Sequence, residues 1–330
     1  MAMSKVKSIW AAGAFAGIAV VTGCLLFSLY ACKQKAVAPE PPQNTRYTTY
    51  TGELNVDVDA GLEFIMRQQV EIFSYLYDSV KTNVAYKSEK EILEDFKTRK
   101  AKLIVLPRVL TQQEIESYKV NDTIYIRQLP VAYDAVAIIA GKEYDDSKLD
   151  LATLKKYFDP KNQGAATPQL VFENKSSGTV RFVLDTLGYK EKVSANVYAL
   201  KSGEEVINYV AENKNSIGFV PFNMLSDGDD ERVKKILTQI KVLSLRTKTL
   251  SGEEIRVSAN QSDIAAGDYP LTRTVNTITH YTYQDNLELL MVGFLSKAKG
   301  AKIFLKAGLM PVKVPEREIN VNEGDLKSSK

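Results

Sequence analysis

The chain has 330 residues, of which 45% are apolar and 25% charged. It is long enough for about two packed domains and unlike a disordered, collagen-like or disulfide-stapled chain. Its 43 basic and 40 acidic residues leave a net charge of +3, too even a balance for a nucleic-acid partner. One histidine, His280, and two cysteines offer little from which to build a zinc site or a Ser-His-Asp or Cys-His centre, so neither a metal site nor hydrolase chemistry is expected, and no cofactor is called for.

At the amino terminus Lys5 and Lys7 precede an uncharged stretch from Ser8 to Ala31, the pattern of an export signal that is also long enough to span a bilayer. Leu29-Tyr30-Ala31-Cys32 resembles a bacterial lipobox, in which a branched apolar residue and a small residue precede the cysteine that is acylated. Val21-Thr22-Gly23-Cys24 fits the same pattern, but cleavage there leaves Leu25-Leu26-Phe27 exposed, and an uncleaved membrane helix is the third alternative. The polar segment after Cys32 carries Pro39, Pro41 and Pro42 and reads as an extended spacer.

Strand and helix signals then alternate. Leu54, Val56 and Val58 point one way along a strand of period two. Leu62, Ile65, Met66, Val70, Phe73, Leu76, Tyr77 and Val80 trace one face of a helix, and Thr82 to Tyr86 is a short strand. Lys102 to Leu106 reads as a buried strand, and Thr111 opens a helix. Further strands are expected at Ile124–Ile126, Ala135–Ala140, Gln169–Phe172, Ala195–Leu200 and Ile217–Val220. Such alternation means βαβ units on parallel sheets with helices on both faces, arranged by length into two lobes. Ser88-Glu89-Lys90-Glu91, Thr111-Gln112-Gln113-Glu114 and Ser202-Gly203-Glu204-Glu205 are capping boxes: a hydroxyl takes an orphan N–H and an acid three residues on returns the bond.

Ser176-Ser177-Gly178-Thr179 lies between a strand ending near Phe172 and a helix through Val180, Phe182, Val183 and Leu187. A helix start leaves N–H groups unpaired with a partial positive charge, and a glycine there lets backbone come close to an oxyanion. Arg181, in the first turn, can add a cation. Taken alone, the motif serves equally well as a simple helix cap.

From Gly52 to Val314 the chain resembles the phosphate-binding proteins of bacterial phosphate ABC transporters. The resemblance rests on Ser177-Gly178-Thr179 with Phe182, on Tyr86-Lys87-Ser88-Glu89-Lys90-Glu91, and on Pro107-Arg108 with Leu110-Thr111-Gln112-Gln113-Glu114. It continues through Pro130-Val131-Ala132-Tyr133-Asp134-Ala135-Val136, Ile217-Gly218-Phe219-Val220 and Tyr269-Pro270-Leu271-Thr272-Arg273, to Gly300, Gly308 and Pro311. It implies a two-lobed α/β fold of the type II periplasmic-binding-protein class: two mixed sheets flanked by helices, with crossover strands as hinge. The implied division is a signal peptide at 1–31, a linker at 32–50, lobe 1 at 51–131 and 225–320, lobe 2 at 132–224, and a disordered tail at 321–330.

The resemblance further implies a monomeric lipoprotein, held to a membrane through Cys32 and facing the periplasm or exterior, that captures phosphate between its lobes and delivers it to an ABC permease. The candidate ligand residues are Ser177, Gly178, Thr179, Ser88, Arg108, Asp59 and Ala60, at the places the family uses, with Arg181 from the helix start and Glu173 from a departing position. For an anion of five heavy atoms, a ceiling of about 1.5 kcal/mol per atom allows affinity near the micromolar range.

The sequence departs from the family in three places. Glu173 stands where the family has arginine, Pro107 replaces a serine, and Asp57-Val58-Asp59-Ala60-Gly61 offers carboxylates where the family presents a hydroxyl. Three readings of Glu173 follow. It can face the ligand and accept the proton of hydrogen phosphate. It can point away while Arg181 or Arg108 supplies the cation. Or the pocket can have changed specificity, leaving an anchored sensor or interaction protein. An ionised carboxylate 4 Å from a unit anion costs about 4 kcal/mol at an effective dielectric of 20, which weighs against the first. Asp134 is a candidate brace for a cleft arginine, Arg273 a structural pairing residue, and His280 an ordinary strand or surface histidine.

Overall fold

The computed structural model describes residues 50–118, 125–164, 166–174, 177–249, 251–281 and 286–315. The expected signal peptide, lipidation site, linker and tail, apart from residue 50 of the linker, lie outside them. No helix among the described residues is long and apolar enough to cross a membrane.

The first βαβ units are β1 (Gly52–Asp59), α1 (Glu63–Leu76), β2 (Val80–Lys87), α2 (Glu89–Lys97), β3 (Leu103–Leu106) and α3 (Gln112–Tyr118). β2 and β3 both pair parallel to β1. The α1 stripe was expected to run to Val80, but a turn in which the Val80 N–H reaches the Tyr77 carbonyl (2.9 Å) ends the helix, and Val80 opens β2 opposite Gly52. Each capping box stands at a helix start. Ser88 heads α2, and Thr111 heads α3 with reciprocal bonds to Glu114 of 2.8 and 3.2 Å.

The chain then crosses the molecule on β4 (Tyr125–Gly141), one strand where two had been expected. Pro130 does not break it, because the register against the neighbouring strand shifts beside it, and an irregularity tolerates a residue with no N–H to donate. After α4 (Leu151–Phe158) come β5 (Gln169–Glu173), α5 (Gly178–Thr186), β6 (Val197–Leu200), α6 (Gly203–Glu212) and β7 (Ser216–Pro221), with β6 and β7 both parallel to β5. Gly218 has a packing reason: a Cβ there would stand 2.7 Å from Val206, so α6 can lie on β7 only over a glycine.

Next are α7 (Glu231–Gln239), β8 (Ile240–Val242), the antiparallel pair β9 (Leu245–Lys248) and β10 (Glu254–Val257), and α8 (Gln261–Ala266). The return strand β11 (Thr272–Tyr281) precedes α9 (Leu287–Ser296), α10 (Ala298–Lys306) and β12 (Met310–Pro311).

The order β2-β1-β3-β11-β4-β7-β5-β6 forms one continuous sheet, with β8 and β12 also on β4. Two parallel groups, β1–β3 and β5–β7, are therefore joined through antiparallel β4 and β11. The expected two sheets share a strand, because the first part of β4 pairs with β11 and Val136–Ile139 pair with β7. The main core runs through both groups, and the Phe172 and Phe219 rings stack at 4.5 Å within it. His280 is a buried strand residue in a smaller cluster, stacked on Phe96 at 4.0 Å; burial pulls its pKa down to about 4.

Candidate functional site

Parallel strands present their carboxyl ends, and the helices that follow them, to a common crevice. Here the ends of β1, β2 and β5 surround a cavity of about 390 Å³ lined by Asp59, Ala60, Gly61, Lys87, Ser88, Glu173 and Ser177, with Lys201 and Ser202 on its border. Arg108, Arg181, Glu89 and Glu114 line an adjoining groove of about 630 Å³, and Ser177 borders both spaces.

The residues singled out from sequence fall into three places. Asp59, Ala60, Ser88, Glu173 and Ser177 meet in the cavity. Arg108 and Arg181 meet in the groove. Gly178 and Thr179 are buried at the start of α5.

Each is fixed by local chemistry. Asp59 ends β1 and accepts the Gly61 N–H at 2.9 Å, capping the short turn that leads to α1. Ser88 ends the β2 segment, and its hydroxyl is committed to Glu91 at 2.6 Å. Ser177 caps α5, its hydroxyl accepting the Val180 N–H at 3.4 Å. The Ser177 N–H itself donates to the Asn174 carbonyl at 3.1 Å, so this amide is engaged within the chain. Thr179 donates to Glu173 at 3.2 Å and accepts from Arg273 at 3.5 Å. Lys87 is taken up by Asp57 and Asp95, at 2.7 and 2.6 Å.

Behind the loop, Arg273 on β11 pairs with Asp134 on β4 through bonds of 2.8 and 3.0 Å, both side chains essentially out of solvent. Asp134 also accepts the Asn223 N–H at 3.2 Å, and the Asn223 amide donates to the Gly61 carbonyl at 2.8 Å. This network braces the cleft from both crossing strands. Its cation does not offset the acids in front of it. Burial pushes the Glu173 carboxyl up to about 7, helped by Asp59 and opposed by Arg273 and Thr179. Burial likewise raises Asp59 to about 6, against Arg273 and the Gly61 N–H. Glu173 lies in the cavity wall, not outside it.

The groove has the opposite character. The Glu89 carboxylate, on a side chain 9% exposed, accepts Arg108 Nε on one oxygen at 2.8 Å and Arg181 Nη2 on the other at 3.0 Å. Arg108 comes from the loop after β3 and Arg181 from α5, so guanidinium groups from both strand groups converge on one carboxylate. Arg108 also forks onto Glu114, with two bonds of 2.7 Å. Burial alone would depress Arg108, but Glu114 and Glu89 hold it above its ordinary value. Its bond, against the opposing effect of burial, keeps Glu114 down at about 2.

Gly178 is what lets Glu89 in: a Cβ at that position would lie 2.9 Å from Glu89 Oε2. The close approach expected of this glycine is thus made by a carboxylate of the chain itself. Sequence reasoning missed Glu89. It belongs to the first turn of α2, where the capping box drew attention to Glu91 and an acid is ordinary. Among the described residues no cluster of His, Cys, Asp and Glu has metal-binding geometry.

Residues 40–306 match the PBP superfamily domain. The chain belongs to that superfamily. Among solved structures it resembles a phosphate ABC transporter substrate-binding protein with bound phosphate from Clostridium perfringens (17% identity, 79% of this chain and 100% of that one, TM-score 0.63). An ABC-type phosphate transport receptor from Vibrio cholerae is similar (15%, 78% and 99%, TM-score 0.59). So is a protein from Planctomyces limnophilus described as a possible phosphate binding protein (16%, 80% and 94%, TM-score 0.54). Among curated proteins, none matches the sequence. The fold is that of the type II periplasmic binding proteins, as the sequence motifs implied; at these identities the likeness speaks for the fold, and the ligand must be argued from the site.

Proposed function

We propose that this chain is an extracytoplasmic solute-binding lipoprotein, anchored through Cys32, that captures inorganic phosphate or a related oxyanion in its cleft and delivers it to an ABC permease, catalysing no reaction. The two parallel strand groups serve as the lobes, 51–131 with 225–320 and 132–224. One observation carries the reading: Arg108 and Arg181, from opposite groups, clasp the Glu89 carboxylate against Gly178, the first residue of α5. Two guanidinium groups beside a helix start form a site for a small, multiply charged oxyanion. They also supply the cationic charge that Glu173, in place of the family arginine, withdraws. The phosphate transport proteins that share the fold support the same ligand class.

Isothermal titration of the full chain in detergent with phosphate, sulfate and arsenate tests the proposal. Saturable heat with phosphate is expected, and Arg108→Gln should weaken it by about 1–3 kcal/mol, the cost of a charged bond left unmade. Absence of heat with all three anions would count against a receptor for oxyanions. It would favour the second reading, an anchored sensor or interaction protein with an altered pocket. The acids Asp59 and Glu173 in the cleft wall are the observation on that side.

A further inference from the structure

The geometry points to Glu89 as an exchangeable internal ligand: its carboxylate occupies the oxyanion's place between Arg108 and Arg181, and capture of phosphate requires that this carboxylate be displaced. The inference rests on the oxyanion-receptor reading given above and adds to it a residue that sets affinity.

Three features of the side chain separate it from an ordinary surface acid. Both oxygens are engaged by guanidinium groups, at 2.8 and 3.0 Å, and the two arginines belong to different strand groups. The carboxylate approaches the backbone of Gly178 so closely that no other residue fits there without moving it. And the side chain is almost fully out of solvent although it sits in the first turn of its helix, where an acid normally faces water. A carboxylate with two charged donors at a helix start has the same requirements as one edge of a tetrahedral oxyanion. The two cannot share the place, because like charges at contact repel.

The neighbours make exchange feasible. Arg108 keeps its fork on Glu114 whether or not Glu89 is present, so its guanidinium stays in position. Arg181 has a second acidic neighbour in Asp185, at 3.6 Å, and is partly exposed, so it can turn without leaving a buried charge alone. Glu89 heads α2 beside the groove, and a change of its side-chain rotamer carries the carboxylate outward with no change in the helix. Because Glu89 also joins the two strand groups through Arg181, the incoming anion takes over a bridge that already exists.

The test is a pair of substitutions with opposite expected signs, read by titration calorimetry of the full chain with inorganic phosphate. Glu89→Gln removes the competing charge and should tighten phosphate binding by about tenfold or more, the equivalent of one charged hydrogen bond. Arg181→Gln breaks the same bridge from its other end and should weaken binding by about tenfold or more. If Glu89 merely braced the structure, the two variants would shift affinity in the same direction, and that result, or an unchanged affinity in Glu89→Gln, overturns the inference. Should Glu89→Gln not fold, Glu89→Asp, whose carboxylate is drawn back by one methylene, should still bind more tightly than the wild-type chain. Phosphate binding in the wild-type chain with the wrong sign in the variants defeats this inference alone. No binding in any of them defeats the receptor reading beneath it.

Discussion

The cleft wall and the neighbouring groove treat the same functional group in opposite ways. In the wall, Asp59 and Glu173 share the field of Arg273, a cation already paired with Asp134, and burial pushes both carboxyls toward neutrality near pH 6 to 7. In the groove, Glu114 takes two bonds from Arg108, a guanidinium it shares with Glu89, and its pKa is held down at about 2. Burial dominates in the wall, whereas in the groove the bonds from Arg108 outweigh the lesser burial of Glu114. A direct arginine bond separates the two: Arg108 donates to Glu114 itself, whereas Arg273 is paired with Asp134 and reaches Glu173 only through Thr179. The contrast bears on function, since the groove holds arginines that only exchange of Glu89 would open to an anion, while the wall holds carboxyl groups that lose their protons near pH 6 to 7.

The largest effect expected from breaking this arrangement is at the brace. Arg273→Leu strands Asp134 in the interior between β4 and β11 and should destabilise the fold by about 3–5 kcal/mol, seen as a lowered urea midpoint. Adding Asp134→Asn should restore a large part of that loss; no recovery would mean that packing of the arginine stem, and not charge pairing, holds the crossing strands together.

Next in size is Glu173→Gln. The folded-state pKa is raised from the usual carboxylate range to about 7, so the folded chain keeps a proton that the unfolded chain gives up. Stability tied to this group is complete below about pH 4.5 and is lost as pH rises through 7. The amide does not titrate. The variant should therefore gain roughly 1–3 kcal/mol over the wild type at pH 8 and little or nothing at pH 4.5, in urea denaturation at the two pH values. An equal effect at both pH values would show that Glu173 keeps its charge and that the wall is better solvated than its geometry indicates.

The fold was legible because its signals are local. The period-two run at Leu54, Val56 and Val58, the stripe on α1 and the three capping boxes each report on a few consecutive residues, and each stands where those residues put it. The pairing of Asp134 with Arg273 was also within reach, because both residues lie in motifs of the crossing strands. The union of two expected strands into β4 was not, since a proline ordinarily interrupts a strand and the shift in register that admits it involves Asn276, far along the chain. Glu89 was hidden for a similar reason. Its meaning depends on Arg108, Arg181 and Gly178, which come from three distant segments, while its own neighbourhood reads as a helix start and nothing more. Charge placement in a cleft is a property of the assembled chain, and a single sequence reports it only where a motif happens to contain both partners.

The smallest of these effects, and the one that most sharpens the contrast, is Glu114→Gln in the groove. Its pKa is depressed in the folded chain, from the usual carboxylate range to about 2, chiefly by the bond from Arg108. Here the sign is reversed: the stability it contributes is fully present above about pH 4.5 and disappears as pH falls toward 2. The side chain is 23% exposed, so solvent screening reduces the value of the pair, and a loss of about 1–2 kcal/mol at pH 7 is expected, shrinking as the medium is acidified. Removing a carboxylate from the wall thus helps the fold at high pH, whereas removing one from the groove harms it. If both variants moved stability the same way at pH 8, the contrast between an acid held ionised by Arg108 and one kept protonated by burial would fail.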